Sequence, residues 1–475
     1  MRSAQMRRLF SPGKAEKSLL QMGPEGDELS PRDRAAFLLH VDAEIEHCLM
    51  VQYLYAAYSL GGPQVPEQHR DTVRGWQETI LGIAKEEMGH LVTVQNALRL
   101  IGAPLNFGRE DFPWDVPFYP FPFTLEPLTV ESVAKYVYAE SAIDWKGEDA
   151  DEIGKLVKEQ VSSPHKVSEL FAQLLPLLRD HKLLPDSVFQ ACTVPCQANF
   201  DEWGRGYYQG QRGNAVRPSG DSRRPPPKTP DVLVMPLASR DDAVAALSAV
   251  AEQGEAPDAS QDMGRSHFTR FLEIYHGMKR AGKEGWSPAR PVAVNPYVSL
   301  DPDLDEPGDA VTAGVARASL IVDREAAQWA RLHNVRYRML LSYLHHSFLL
   351  DGGAVATGAS SPRGAIINAT FGEMYNLRAL SELLMQMPLD ARHPEAGNAG
   401  PPFQMPYTVD LPYGEADRWR LHLDLLDAAA SLVDALGRHA APARQRYLAA
   451  MTESDAQMRA TALRILAARG NPSFT

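Results

Sequence analysis

Cysteine is scarce: the 475 residues carry only Cys48, Cys192 and Cys196. An odd count in so long a chain argues against a disulfide framework and for a reducing compartment, so a cytoplasmic protein is expected. Cys192 and Cys196 stand four apart with no second pair, which does not make a zinc site. Long apolar runs are also missing. The stretch from Ala243 to Ala251 is too short to span a bilayer and follows Arg240-Asp-Asp, so no membrane association is expected. The N-terminus, Met1 to Phe10, is basic but has no apolar centre, unlike a secretion signal. Positive charge is not in excess either. Sixty acidic against 48 basic residues give a net charge of −12, which suits a solubilising surface and not a nucleic-acid partner. There is no Gly-x-Ser-x-Gly and no dinucleotide fingerprint, and Gly352-Gly353 is a turn, since no phosphate-loop lysine follows it. With 44% hydrophobic and 23% charged residues, the chain is globular and long enough for several domains' worth of core.

What is present reads as helix. Ser30-Pro31 starts a first helix that Gly61-Gly62-Pro63 ends. A second runs from about Asp71 to Leu100, with Gly102 and Pro104 beyond it. Residues 104–128, rich in proline and aromatics, form an extended crossover. Thr129 caps a third helix. Residues 145–210 contain one clear helix, Val167 to Leu178, and residues 212–230 read as an exposed, mobile loop. A fourth, alanine-rich helix covers 240–254, and Ser266 starts another. Asp301 to Gly308 is the best boundary. It separates an extension (1–30) and a first domain (31–300) from a C-terminal domain (309–475). There, Ala316–Leu350, Phe371–Met387, Ala416–Leu436 and Arg444–Ala468, joined by short turns, make a second bundle. Only Val232 to Met235 resembles a strand. The expected fold class is all-α: a four-helix bundle with long insertions, followed by a second helical bundle.

Glu87-Met-Gly-His90 carries the chemistry. Positions three apart share a helical face, so a carboxylate and an imidazole there can point at one ion. Glu87 also falls in the apolar stripe of Ile80, Ala84, Leu91, Val94 and Leu98, where an ionised acid needs compensation. A dinuclear site in a bundle needs one acid from each of two helices and a Glu-x-x-His pair from each of the others. The first helix offers Glu46 or Glu44, which periodicity does not separate; the third offers Glu140. The fourth offers Glu252 and Glu255 with no histidine three residues on, and His267 fills that role if the helix is interrupted and re-enters. Each residue has a plainer alternative. One of Glu86 and Glu87 is a solvated surface charge, Glu140 pairs with Lys135 or Lys146, and His267 caps a helix or packs beside Phe268 and Phe271. Adjacent His345 and His346 point to different faces, so they are not a paired ligand set, and Glu373 is by default a packing residue.

Several stretches, in order, resemble one known family: Ala43-Glu-Ile-Glu-His-Cys-Leu-Met-Val-Gln-Tyr-Leu-Tyr-Ala56, Ala84-Lys-Glu-Glu-Met-Gly-His-Leu91, Ile101-Gly-Ala-Pro-Leu-Asn106, Leu125-Glu-Pro-Leu-Thr129, Glu252-Gln-Gly-Glu255 and Ser266-His-Phe-Thr-Arg-Phe-Leu-Glu-Ile274. The family is the ferritin-like one that includes iminophenyl-pyruvate dimer synthase and the imine-dimerising enzymes of violacein and indolocarbazole biosynthesis. The resemblance covers residues 30–280. Ala256 stands where the family usually has a glycine. The resemblance implies a ferritin-like bundle and metal ligands at Glu46, Glu87, His90, Glu140, Glu252 and His267. It implies iron, most simply a di-iron pair, and an oxidoreductase or oxidative coupling enzyme acting on an amino-acid-derived imine or amine in specialised metabolism. A biosynthetic partner enzyme fits that setting. The alternatives are an imine-dimerising catalyst without redox metal chemistry and a non-catalytic scaffold that binds a biosynthetic partner.

Overall fold

The computed structural model describes residues 29–111, 119–161, 163–190, 196–203, 232–255, 265–299, 318–350 and 361–469. Residues 112–118 of the crossover, Cys192, the loop 212–230 and the segment Asp301 to Gly308 lie outside them. The N-terminal half is built from α1 (Pro31–Ser59), α2 (Arg70–Leu100), α3 (Val130–Ala139), α4 (Glu148–Gln160), α5 (Val167–Arg179), α6 (Arg240–Glu255) and α7 (His267–Lys283). The C-terminal half adds α8 (Arg324–Ser347), α9 (Pro362–Leu384), α10 (Glu415–Gly437) and α11 (Pro442–Arg469). The architecture is all-α, and among the described residues no helix is long and apolar enough to cross a membrane.

The helix ends follow from local chemistry. Ser30 accepts from the Asp33 N–H and Pro31 opens α1, where its missing donor costs nothing. After Ile101, Gly102 at φ 67° lets the chain turn back, and the Gly102 and Ala103 N–H groups close on Arg99 and Leu98 carbonyls. Thr129 and Ser132 exchange side-chain and backbone bonds at the start of α3. The first helix is the central rod. It is buried from Leu38 to Tyr58 because α2, α5 and α9 all pack on it. The pairs α3–α7 and α5–α6 complete the bundle. The crossover is held by side chains: Gln95 and the Asn106 backbone bond each other reciprocally at 2.7 and 2.8 Å, and Gln52 accepts from the Thr124 N–H at 3.0 Å.

One apolar core runs through the N-terminal half and takes in Tyr337, Leu340, Leu377 and Phe403 from beyond it. A second, around Trp329, Leu380, Trp419 and Leu426, holds the C-terminal helices. Buried Arg109 ties the first core to the C-terminal half of the chain, donating to the Phe403 carbonyl at 2.5 Å and to the Tyr337 hydroxyl at 3.3 Å.

Four details differ from the sequence reading. The acid-rich start of α4 hides a helix that buries only Ile153 and Val157. Val232 to Met235 is extended but is no strand. It lies along α2, where Thr93 donates to the Leu233 carbonyl at 2.6 Å. A side chain at Gly89 would meet Val232 at 2.7 Å, so this close approach explains the glycine in Glu-Met-Gly-His. Pairing instead joins Pro296–Tyr297 to Ser319–Leu320, and α8 starts only after Asp323, whose side chain accepts from the Ala326 N–H. The ninth helix starts at Pro362, not Phe371, because Ser361 caps it. The stretch 385–414 that follows is long and returns to the N-terminal half through Asn398, which bridges to Val292.

Candidate metal centre

Five helices deliver acids or imidazoles to one small volume. Asp42 and Glu46 lie one turn apart on α1; Glu86, Glu87 and His90 lie on α2; Glu140 caps the end of α3; Gln253-Gly254-Glu255 ends α6; and His267 opens α7 behind the Ser266 cap. Asp42, Glu46, Glu87, His90, Glu140 and His267 are between 0% and 3% exposed. Glu46 Oε2 and Glu87 Oε2 approach His90 Nδ1 at 3.3 and 3.1 Å. Glu87 Oε1 and Glu140 Oε2 approach His267 Nδ1 at 2.8 and 3.7 Å. The two rings stack with centroids 5.4 Å apart. The result is two donor groups, Glu46–Glu87–His90 and Glu87–Glu140–His267, each with one atom per residue within 4.8 Å of the others. Glu87 belongs to both.

The outer nitrogens are held elsewhere. His90 Nε2 lies 2.8 Å from Gln253 Oε1, and His267 Nε2 lies 2.9 Å from Glu86 Oε2. Both oxygens accept, so each Nε2 carries a hydrogen and each ring turns Nδ1 toward the acids. Arg270 pairs with both oxygens of Glu86. Tyr53 donates to Glu140 Oε1 at 2.5 Å. A side chain at Gly254 would stand 3.2 Å from Glu140 Oε2, so this glycine makes room for the carboxylate. A cavity of about 10 Å³ lies among these groups, walled by Leu49, Val167, Phe171 and Val250. Larger clefts, about 420 Å³ beside Arg290 and about 630 Å³ beside Trp76, are lined by Tyr58 and Gln77 and by Trp76 and Lys279. Tyr58 lies about three helical turns along α1 from Glu46.

Electrostatics favours a cation here. Asp42 Oδ1 and Oδ2, Glu46 Oε2, Glu87 Oε1, Glu255 Oε1 and His267 Nδ1 are buried without a hydrogen-bond partner. Each such group costs about 1–3 kcal/mol, more when charged. Burial pushes Glu46 well above the usual carboxylate range, and Glu87, Asp42 and Glu140 add like-charge repulsion. Burial raises Asp42 to about 7 and Glu255 to about 9, with Glu140 and Asp42 adding to the latter. Burial would raise Glu87 too, but His267 and His90 outweigh it and hold it well below its ordinary value. Five acids thus share two imidazoles, because Glu86 is matched by Arg270. Carboxylate and imidazole donors in this number suit one or two divalent ions, and the partnerless atoms are those a cation would satisfy.

The ferritin-like family profile matches residues 39–276, the stretch that holds every one of these groups. The chain belongs to the ferritin-like family. Dichlorochromopyrrolate synthase of Lentzea aerocolonigenes is 29% identical over 415 residues, which cover 80% of this chain and 36% of that protein. The chain therefore spans little more than a third of the length of this relative. No solved structure matches. Three Glu-x-x-His pairs lie on helices of the bundle, Glu44–His47 on α1, Glu87–His90 on α2 and Glu273–His276 on α7, and among them only Glu87–His90 has both members at the centre. The second histidine arrives from the first turn of α7 and not from α6.

Of the residues singled out in the sequence, Glu46, Glu87, His90, Glu140 and His267 come together. Glu252 does not: it is exposed, because α6 turns the face of Gln253 and Gly254 inward. Glu255 faces the cavity in its place. Glu44 is also set apart, accepting from Asn106 and the Tyr119 hydroxyl. Glu86 and Glu87 are both buried, so neither is the solvated charge expected of one of them. Asp42 gave a detectable sign, since it lies four residues before Glu46 on the same face. Gln253 gave none, because only its neighbour His90 reveals its use.

Proposed function

We propose that the chain holds the metal centre of an oxidoreductase or oxidative coupling enzyme that works on an amino-acid-derived imine or amine in specialised metabolism. The observation that carries this reading is the sharing of Glu87 by two acid–imidazole groups in which Glu46 Oε2 and Glu87 Oε1 are buried without a hydrogen-bond partner. Glu46 and His90 would hold one ion, Glu140 and His267 the other, and Glu87 would bridge. Iron is the first candidate. Bound there, an iron pair would supply dioxygen activation and one-electron chemistry to the substrate.

The chain's own residues do the rest. Gln253 and Glu86 orient the imidazoles, and Tyr53 fixes one oxygen of Glu140. Burial keeps the Tyr53 hydroxyl protonated, aided by Glu140 and Glu87, so it acts as a donor at any ordinary pH. Leu49, Val167, Phe171 and Val250 keep bulk water out of the cavity. At about 10 Å³ that cavity is far below the range of about 300–1,000 Å³ usual for organic ligands, so it suits an ion or a molecule the size of water. The similarity to a named synthase supports the choice of substrate class. A biosynthetic partner enzyme belongs to the same reading.

Metal analysis of the purified chain with Glu87→Ala, His90→Ala and His267→Ala tests the proposal. Iron or a similar divalent metal in the wild type, lost in the variants, is expected; full metal content in all three overturns it. Incubating an aryl imino acid with chelated and with iron-loaded protein then separates the chemistries. Turnover only when loaded supports the redox reading, whereas equal turnover points to imine dimerisation without metal.

A further inference from the structure

The two imidazoles of the centre have chemically different supports. His90 is backed by the neutral amide of Gln253, with Nε2 2.8 Å from Oε1. His267 is backed by the carboxylate of Glu86, with Nε2 2.9 Å from Oε2. Glu86 stays ionised although buried, because Arg270 holds both of its oxygens, Nη1 at 3.2 Å from Oε1 and Nη2 on Oε2. A hydrogen bond to an anion draws the Nε2 proton away from the ring and makes Nδ1 a stronger donor than a bond to an amide does. In front of the rings Glu87 serves both groups and Glu46 and Glu140 supply one carboxylate each, Glu46 with Asp42 one turn before it and Glu140 with one oxygen held by Tyr53.

We propose that Glu86 and Gln253 are positioning residues that make the two subsites unequal, so that the Glu87–Glu140–His267 group takes a divalent ion first and more tightly than the Glu46–Glu87–His90 group. This rests on the metal-centre reading above. The sequence carries the device in adjacent pairs. Glu86 stands beside the ligand Glu87 on α2, and Gln253 stands two residues before the cavity-facing Glu255 on α6. A Glu86 that served only Arg270 would have no need to reach His267 with the oxygen that Arg270 Nη2 also holds.

The test is an anaerobic titration of the full chain with cobalt(II), read by its visible absorption and by bound stoichiometry, not by activity. The wild type should bind two ions in two resolved steps. Glu86→Gln should weaken the first step on the order of 10–100-fold and shift its absorption band while leaving the second step in place. Gln253→Glu should strengthen the second step and draw the two together. That gain of affinity is not the signature of a damaged fold, so this variant decides the matter even if Glu86→Gln does not fold. Two ions bound by a folded Glu86→Gln chain with wild-type affinities and spectrum would overturn the inequality and leave the metal centre standing. A wild-type chain that takes up no cobalt would overturn both.

Discussion

The two halves of the molecule bury similar side chains and match them differently. In the C-terminal half, Arg336 lies between Glu373, 3.1 Å away, and Asp455, 2.7 Å away. His346 joins Glu415 at 3.1 Å to His422 at 2.8 Å, and Glu415 also accepts from Trp419 and Arg418. Each acid there has a donor, and the loose ends are His333 Nδ1, Arg336 Nε, the Tyr343 hydroxyl and His422 Nδ1, none of them a carboxylate oxygen. In the N-terminal half five acids face two imidazoles, and the partnerless atoms are mostly carboxylate oxygens. Among the described residues, donor groups that could hold an ion occur only in that half. Histidine beside glutamate therefore does not mark a cation site; a local surplus of buried negative charge does. This follows from the cost of burying a charge, which a neighbouring arginine offsets in one half and only an added cation can offset in the other.

The contrast breaks most visibly in metal content. Glu87→Ala removes the acid common to both groups and should take bound divalent metal close to zero, whereas His346→Ala should leave it unchanged. Elemental analysis that shows metal lost from both variants would erase the distinction. Next in size is stability. Arg336→Met strands Glu373 and Asp455 and should destabilise the chain by about 3–5 kcal/mol in urea melts. Asp42→Asn, in contrast, removes a buried charge that has no partner, and should stabilise the metal-free chain on the order of 1 kcal/mol. The two substitutions thus act with opposite sign, and equal losses would contradict the account of Asp42.

Dependence on pH sharpens the same contrast. Burial lowers His333 to about 3, and burial with Arg109 lowers His47 to about 3, from an ordinary 6.5. The unfolded chain takes up those protons below 6.5 and the folded chain does not, so stability should fall as pH falls from there toward 3. Glu255 is displaced the other way, to about 9 from 4.5. The folded, metal-free chain keeps a proton that the unfolded chain has shed, so that contribution is full below 4.5 and is lost as pH rises through 9. Added divalent metal should abolish the alkaline loss and leave the acid one untouched. Melts that show an alkaline loss of the same size with metal present would sink this. The smallest effect expected is none at all: Glu252→Gln changes an exposed side chain and should alter neither metal content nor melting.

Much of the fold was legible because its signals are local. The caps at Ser30, Thr129 and Ser266 and the stops at Gly61 and Gly102 each act within a few residues, and the structure keeps them. Helix α4 was missed because its exposed acids outnumber its two buried positions, so the periodicity was thin. The start of α9 was missed because Pro362 to Thr370 is small and mixed in polarity, with its cap at Ser361 the only cue.

The sequence by itself determined that α2 bears a carboxylate and an imidazole on one buried face, since three residues on a helix set that direction whatever surrounds it. It also determined that the fold class is all-α and that His267 opens a helix. Only the tertiary structure decided between Glu46 and Glu44 and between Glu255 and Glu252. Only it brought Asp42, Glu86 and Gln253 to the same place. Those choices depend on which face of each helix its neighbours cover and on how far apart the rods stand. Packing fixes both quantities, and no spacing along a single helix records them.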